Sequence, residues 1–367
     1  MNRKPQRLQG FSLALVLLLA LAASSSAQKR APVFEPDRGW PPIPNNWVLG
    51  EVSSIAVDSQ DRIWVLHRPR SVPAERRANA APPVLEFESS GKLLASWGGP
   101  ASGFDWPERE HGIYVDPKGF VWIGGNNGYG TPPPPGQSDD MLLKFTTAGK
   151  FVLQIGHSGK SKGNADTDNV RQAADAVLYR NELYVADGYG NNRVVVFDAD
   201  SGKFKRMWGA FGNKPETPPA PPAGSPAPLT GDGPGPPQFG LVHAIKVSND
   251  GIVYVADRAN QRVQVFTADG KYRQQVVIGK GTTAANTAAG LAFSPDKDQQ
   301  FLYVADLGNS KIVVLDRKTM QILDSFGMPG RDPGQFGTLH HMAVDSRGNI
   351  YTAEILRNRR IQRFLKE

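Results

Sequence analysis

The sequence predicts an all-β fold, a six-bladed β-propeller. One phrase, approximately xxIAVDxxGxIYVADxxNxRVxxFxxxGKxxxxxG, recurs along the chain at a spacing of about 45–50 residues, which is the signature of stacked or radial repeats. Within each copy, short runs rich in Val, Ile, Tyr and Phe are separated by turn residues, as in antiparallel strands joined by tight turns. Each copy is therefore predicted to form one four-stranded blade.

The copies can be placed in order along the chain. They occupy residues 53–99, 111–156, 174–209, 243–279, 290–327 and 340–366. Six such sheets cannot bury their apolar faces alone, and radial stacking around a channel buries them. The sixth copy stops before its last strand, so we expect a strand from residues 33–52 to complete that blade and cover its open edge.

The N-terminus has the features of a secretory signal. Residues 1–27 combine a basic start, an apolar run over residues 11–23, and small residues Ser25 and Ala27 before Gln28. We expect cleavage after Ala27, leaving residues 28–367 as one propeller domain in the periplasm or outside the cell. The apolar run is too short for a comfortable membrane span, so no span is expected.

Composition removes several classes of function. The chain has no cysteine, which excludes disulfides, thiolate metal ligands and cysteine nucleophiles, so any metal must be held by nitrogen or oxygen. The formal charge of +7 falls to +4 without the three basic residues of the signal. That charge is too mild and too scattered to indicate a nucleic-acid partner.

Three insertions interrupt the repeats, at residues 70–83, 124–140 and 214–237. The last has ten prolines in 24 residues, which favours extended segments without a core, and is predicted to be a surface excursion between blades three and four. All three lie in connections that emerge on one face of a propeller. That face is the expected place for binding or catalysis, because loops on a rigid scaffold carry function.

Three histidines stand in alternate repeats on this face. His111, His243 and His340 each precede by eleven residues the aromatic residue of their own repeat. Alternate blades are about 120° apart, so the three imidazoles should converge on the channel axis as an open metal site, with Zn–N distances of about 2.0–2.1 Å. Zinc is the expected metal, although copper or iron accepts the same ligands. A single histidine here would more often cap a strand or bind water; His67 and His157 are expected at the surface.

Two further residues on this face are candidates for catalysis. Arg68 ends the second strand of blade one and could hold a carboxylate by a bidentate contact, or form a salt bridge at the rim. Tyr189 lies in a glycine-flanked loop of blade three that is one residue longer than its counterparts in blades four and five. It could act as an acid or a base beside a metal, or serve a structural role.

The blade phrases VADRANQRVQVF, VADLGNSKIVVL and VADGYGNNRVVVF resemble NHL repeats. Among NHL-type propellers, the chain resembles peptidyl-α-hydroxyglycine α-amidating lyase in its HR, HG, DGYxNxR and blade-opening histidine motifs. The resemblance implies a zinc-dependent carbon–nitrogen lyase that splits a C-terminal α-hydroxyglycine into a peptide amide and glyoxylate. It implies His111, His243 and His340 as ligands, Arg68 as the carboxylate partner, and Tyr189 as the group that assists proton removal.

The sequence departs from this family at His341, where the family has an aspartate, and it lacks the family's disulfides. The alternative to a small-peptide or other small-molecule lyase is therefore a non-enzymatic exported propeller that binds a peptide, polysaccharide or protein on its loop-rich face. A calcium-dependent lactonase-type propeller is a third alternative, but no set of Glu, Asn and Asp residues converges from the inner strands.

Overall fold

Turn residues divide the chain into short strands that pair in sequence order as antiparallel sheets. The computed structural model describes Met1 and residues 29–128, 132–218 and 233–367. It has two units, Met1–Arg30 and Ala31–Glu367, and all the strands described below lie in the second. The predicted signal lies outside the described residues except for Met1, as does most of the proline-rich insertion. No helix in the described ranges is long and apolar enough to cross a membrane.

The first half of the ring begins with β1 (Phe34–Pro36). Blade one contains β2 Glu51–Val57, β3 Ile63–Arg68, β4 Val84–Phe87 and β5 Leu93–Trp97. Blade two contains β6 Glu110–Val115, β7 Phe120–Gly125, β8 Met141–Thr146 and β9 Phe151–Gly156. Blade three contains β10 Asp175–Tyr179, β11 Glu182–Asp187, β12 Arg193–Asp198 and β13 Phe204–Trp208.

The second half repeats the arrangement. Blade four contains β14 Val242–Val247, β15 Ile252–Asp257, β16 Arg262–Thr267 and β17 Tyr272–Val277. Blade five contains β18 Leu291–Phe293, β19 Phe301–Asp306, β20 Lys311–Asp316 and β21 Ile322–Phe326. A short parallel pair, β22 Met328–Pro329 and β23 Gln335–Phe336, leads to blade six, which contains β24 Leu339–Val344, β25 Ile350–Glu354 and β26 Ile361–Lys366.

The ring closes through the N-terminal strand, as predicted. β1 pairs antiparallel with β26, with Phe34 opposite Lys366 and Pro36 opposite Phe364, and becomes the fourth strand of blade six. Phe34 also stacks on Phe326 of blade five at 5.0 Å between ring centres. One short strand therefore covers an open edge and joins two blades.

The core lies between the blades and is organised by one aromatic residue from the second strand of each. These six residues are fully or almost fully buried and comprise Trp64, Trp122, Tyr184, Tyr254, Tyr303 and Tyr351. A buried aromatic side chain removes about 150–250 Å² from water. At about 25 cal/mol per Å², each contributes roughly 4–6 kcal/mol to the gross hydrophobic free energy of packing between the blades.

Short 3₁₀ helices occupy the loops on the elaborated face. Pro69–Ser71 and Ala74–Asn79 lie in the insertion of blade one, Ala210–Gly212 follows blade three, and Arg258–Asn260 follows the second strand of blade four. This face carries the entry to the innermost strands and so surrounds the upper mouth of the channel.

Candidate metal centre

The three histidines stand at breaks in the hydrogen-bond ladder between the innermost strand and the second strand of their blades. The register steps over His243 in β14, over His340 in β24, and over His111 together with Gly112 in β6. These are β-bulges, which re-aim the side chain of the extra residue. The bulges therefore explain how residues of a regular strand come to point at the channel axis.

Backbone carbonyls of blades one, three and five fix the tautomer of each imidazole. The three bonds are His111 Nδ1 to Ala174 O at 2.8 Å, His243 Nδ1 to Ala289 O at 2.9 Å, and His340 Nδ1 to Ser53 O at 2.7 Å. A carbonyl oxygen can only accept, so Nδ1 carries the proton in every ring and Nε2 carries a lone pair. This carbonyl–imidazole arrangement is the one that orients metal-ligating histidines.

The Nε2 atoms meet around the hydroxyl of Tyr189. Nε2 of His243 lies 3.1 Å from Nε2 of His340, while Tyr189 Oη lies 2.8 Å from Nε2 of His111 and 3.0 Å from Nε2 of His243. Two lone pairs thus face one hydroxyl proton, and the lone pairs of His243 and His340 face each other, an excess of acceptors that a shared cation would resolve. Two nitrogens on one tetrahedral zinc ion lie about 3.3 Å apart, close to the observed separation, so the donor set fits a metal.

Two close backbone approaches fix these groups. A side chain on Gly188 would place its Cβ 2.0 Å from the carbonyl oxygen of Val242, which lets the loop bring Tyr189 onto His243. A Cβ on Gly112 would lie 2.4 Å from the carbonyl oxygen of Ala174, the acceptor of the His111 proton. Only glycine fits at either position without moving the backbone.

Burial keeps these imidazoles neutral. The pKa of each of His111, His243 and His340 is held well below its ordinary value, first by burial and then by neighbouring positive or imidazole groups. Among those groups, Arg68 acts on His111 and His340, and Arg258 acts on His243 and His340. Neutral imidazole is the form that binds a metal.

A fourth histidine joins the cluster. His111, His243, His340 and His341 each offer a ring nitrogen, and these four atoms lie within 4.8 Å of one another with all four residues buried. Burial lowers the pKa of His341 to about 4. The described part of the protein therefore holds a buried four-histidine group that can bind a metal.

A cavity of about 230 Å³ on the elaborated face opens onto this cluster. Its charged lining consists of Arg68, Arg109 and Arg258, and no acidic residue lines it within the described ranges. His340 and Tyr189 also line it. Glu51 pairs with Arg68 and lies 3.8 Å from Arg109, so one carboxylate offsets part of the charge of three guanidinium groups, and the remaining positive charge favours an anionic ligand at this position.

Arg68 is buried and held by three partners. Its Nη1 donates to Glu51 Oε2 at 2.6 Å, its Nε donates to the carbonyl oxygen of Glu110 at 2.8 Å, and its Nη2 lies 3.4 Å from Asn126 Oδ1. A guanidinium has five N–H donors, so these three contacts position Arg68 and leave two N–H groups for a further acceptor in the cavity. Arg68 forms a salt bridge, as one of the two alternatives raised by the sequence had it, and it also lines the cavity.

The opposite side of the histidine cluster borders a second cavity, of about 350 Å³. His341, Asp175 and Lys246 line it, and Lys246 Nζ lies 2.7 Å from Asp175 Oδ2. The histidines therefore separate an upper cavity rich in arginine from a lower cavity whose carboxylate Asp175 is paired.

The sequence placed some residues and missed others. The structure brings His111, His243, His340 and Tyr189 together, with Arg68 at the same cavity. Arg258 was missed, although it follows the second strand of blade four much as Arg68 ends that of blade one, so comparing blades would have found it. Its Nη1 donates to Tyr189 Oη at 3.1 Å.

The surface position expected for His67 is wrong. This residue is fully buried, and its Nδ1 accepts from the Gly50 amide at 3.1 Å while Nε2 donates to Pro82 O at 3.0 Å. The insertion of blade one folds back over the strand end and supplies the Pro82 carbonyl. The exposed position expected for His157 agrees with its side chain, which is 70% exposed.

Comparisons with known proteins agree with this architecture. The NHL repeat model matches residues 239–266. NHL repeat-containing protein 3 of Mus musculus is 28% identical, with 77% of this chain and 70% of that protein covered. Peptidyl-alpha-hydroxyglycine alpha-amidating lyase 1 of Drosophila melanogaster is 25% identical, with 89% and 58% covered.

Two further comparisons concern a larger protein and a solved fold. Peptidyl-glycine alpha-amidating monooxygenase A of Xenopus laevis is 25% identical over 88% of this chain, which spans 32% of that protein. A streptogramin B lyase structure superposes with a TM-score of 0.53 at 13% identity, covering 91% of this chain and 98% of the other, and supports the fold alone. The chain is thus a six-bladed β-propeller with an NHL repeat, similar in sequence both to NHL repeat-containing proteins and to peptidyl-α-hydroxyglycine α-amidating lyases.

Proposed function

We propose that the protein is an exported metal-dependent lyase that cleaves a peptidyl-α-hydroxyglycine into a peptide amide and glyoxylate. One observation carries the proposal: three oriented Nε2 atoms and a tyrosine hydroxyl lie against a cavity whose charged lining is three arginines. The similarity to amidating lyases supports the same reaction. Export rests on the signal expected in residues 1–27.

Zinc is the metal that we propose for the centre. His111, His243 and His340 would hold it, because their Nδ1 protons are committed to carbonyls and their Nε2 lone pairs converge. When bound there, zinc supplies a Lewis acid that polarises an oxygen of the substrate. Neutral nitrogen ligands without a carboxylate preserve more of the positive charge of the ion for that purpose.

The arginines would hold the carboxylate of the substrate. Arg68 is fixed by Glu51 and the Glu110 carbonyl, so its remaining N–H groups are already oriented before an anion binds. Arg109 and Arg258 line the same cavity and add positive charge. A carboxylate held here orients the α-carbon toward the histidines, and this kind of positioning accounts for much of the rate in enzymes.

Tyr189 would take part in the proton transfer. The reaction removes a proton from the α-hydroxyl, breaks the C–N bond as the new carbonyl forms, and delivers a proton to the amide nitrogen. Tyr189 Oη accepts a hydrogen bond from Arg258 Nη1, and this contact positions the phenol oxygen beside the histidines. Tyr189 would therefore assist removal of the proton from the substrate hydroxyl, while Arg258 holds the tyrosine in place.

The test is a zinc-loaded assay with a peptide that ends in α-hydroxyglycine. We expect glyoxylate and peptide amide in equal amounts from the wild-type protein. Tyr189→Phe should retain zinc and lower kcat by about 10²–10⁴-fold, the usual contribution of acid–base catalysis. A zinc-loaded wild type that releases no glyoxylate above the buffer rate would overturn the proposal.

The second candidate is a propeller that binds a protein, peptide or polysaccharide without catalysis. It is favoured by the similarity to NHL repeat-containing protein 3, because the alignment covers 70% of that relative. It is also favoured by the salt bridge between Arg68 and Glu51, which gives the arginine a partner within the protein. Stoichiometric binding of a ligand at the upper cavity without turnover would select this candidate.

A further inference from the structure

Blade six differs from the other bulged blades at the residue that follows the axial one. That residue is small in blades one, two and four, where it is Ser54, Gly112 and Ala244. In blade six it is His341, which carries an imidazole. Because the bulge opposes two residues to one on the neighbouring strand, consecutive residues can both approach the channel. The small residues leave room beside the three axial histidines, and His341 occupies it.

The four rings are arranged at nearly equal distances. The six distances between ring centres run from 4.6 Å for His243 and His340 to 5.6 Å for His111 and His341. Four imidazoles bound to one tetrahedral ion would place their ring centres about 5 Å apart. The cluster therefore has the dimensions of a four-imidazole site.

The environment of His341 points to a ligand. The residue is only 3% exposed, and its buried Nε2 has no hydrogen-bond partner among the described residues. A buried polar atom without a partner costs about 1–3 kcal/mol, so such an atom in a cluster of ring nitrogens indicates a missing partner. His341 also lines the lower cavity, whereas His340 and Tyr189 line the upper one.

We propose that His341 is a fourth metal ligand, which closes the centre from the lower cavity and leaves the side facing Tyr189 open to substrate. This inference rests on the proposed function only in that a metal occupies the three-histidine site. Zinc centres are usually four-coordinate and expand to five when a substrate binds. A fourth imidazole would thus complete the resting centre without blocking the upper cavity.

The experiment measures coordination directly, using zinc alone as the probe. X-ray absorption on the zinc-loaded wild type should show four imidazole ligands, and His341→Phe should show three. Phe keeps a ring in contact with the other imidazoles but removes the nitrogens. Zinc affinity, from competition with a chromogenic chelator, should fall about 100-fold or more, since even partners outside the coordination sphere contribute about 10–100-fold.

Two variants control the experiment. His341→Ala repeats the loss with a smaller side chain, and circular dichroism with thermal unfolding identifies whichever variant is folded. His157→Ala removes an exposed imidazole outside the cluster and should change neither ligand number nor affinity.

The outcomes separate this inference from the proposed function. Three imidazoles in the wild type, or unchanged affinity in folded His341→Phe, would overturn the fourth ligand while leaving the metal centre intact. Four imidazoles with no glyoxylate release would support the fourth ligand and overturn the lyase. A folded wild type that binds no zinc would overturn both.

Discussion

At the scale of single residues, the site is defined by which ring nitrogens donate hydrogen bonds and which keep a lone pair. Three carbonyls commit the Nδ1 protons, so three Nε2 lone pairs face a channel in which Tyr189 offers one proton. Histidines that only capped strands would form hydrogen bonds from these nitrogens to the backbone of their own blade. Here each Nδ1 bonds instead to a carbonyl of the next blade, which orients Nε2 toward the axis.

The role of Arg68 can be tested by changing the substrate together with the protein. Arg68→Met should lower kcat/KM about 10–100-fold for an α-hydroxyglycine peptide, since hydrogen bonds to charged groups contribute about 1.5–3 kcal/mol. The same variant should barely change kcat/KM for a substrate whose carboxylate is replaced by a primary amide. The control is Arg70→Met, because Arg70 is half exposed and pairs with Glu108 outside the cavity. Equal losses on both substrates would argue against carboxylate binding by Arg68.

His67 should make the free energy of unfolding depend on pH. Burial lowers its pKa from 6.5 to about 4, so protons bind the unfolded chain more readily than the folded one between these values. The contribution of neutral, buried His67 to the free energy of unfolding is complete above about pH 6.5 and is lost as the pH falls through about 4. Between pH 7 and pH 4.5 the wild type should lose about 2–3 kcal/mol more than His67→Gln.

Urea unfolding of the metal-free protein at the two pH values measures this difference. The buried histidines of the channel titrate in both proteins and cancel in the comparison. His157→Gln, at an exposed position, should behave as the wild type. Parallel losses in the wild type and His67→Gln would assign the pH dependence to other groups.

At the scale of strands and loops, the sequence predicted the regular part of the structure and not the irregular part. The repeats located the blades and the alternate histidines because hydrophobic periodicity determines which strands pair. The bulge that brings His341 to the channel depends on a register shift in β24, and His67 is buried under a loop whose Pro82 carbonyl lies fifteen positions further along the chain. Both effects come from tertiary packing, which the pattern of apolar residues along a strand does not predict.

The loop after the second strand illustrates the same division. In blades three and four, buried Asp–Arg pairs hold it, at 2.8 Å for Asp187 and Arg193 and 2.9 Å for Asp257 and Arg262. The extra residue of the blade-three loop was visible in the sequence. Its contact with the histidines depends on the close approach of Gly188 to Val242 in the neighbouring blade.

The closing strand should make a measurable contribution to stability. Phe34→Ala removes the stack on Phe326 and the edge contact with Tyr303, at 5.0 and 5.7 Å between ring centres. We expect a loss of about 1–3 kcal/mol, less than for a fully buried phenylalanine because Phe34 is partly exposed. Val33→Ala, its exposed neighbour, should change stability by less than about 0.5 kcal/mol. Equal effects in chemical unfolding would show that closure does not depend on this packing.

At the scale of the whole molecule, the centre connects blades that are not neighbours. His111, His243 and His340 come from blades two, four and six, and their carbonyl partners come from blades three, five and one. All six blades therefore contribute an atom to the centre or to its orientation. A metal held there would join the innermost strands around the ring and stabilise the folded state relative to the unfolded chain.

Zinc should raise the melting temperature of this ring. Binding to the folded state alone adds about 4 kcal/mol at a free concentration of about 1,000 times Kd, which corresponds to a rise of several degrees. His243→Ala should remove most of the rise, because His243 lies within hydrogen-bonding distance of both Tyr189 and His340 at the centre. Magnesium, which prefers oxygen ligands, should cause no rise in either protein. If zinc raised the melting temperature of His243→Ala as much as that of the wild type, the ion would be binding elsewhere, and the axial histidines would not be what couples the blades.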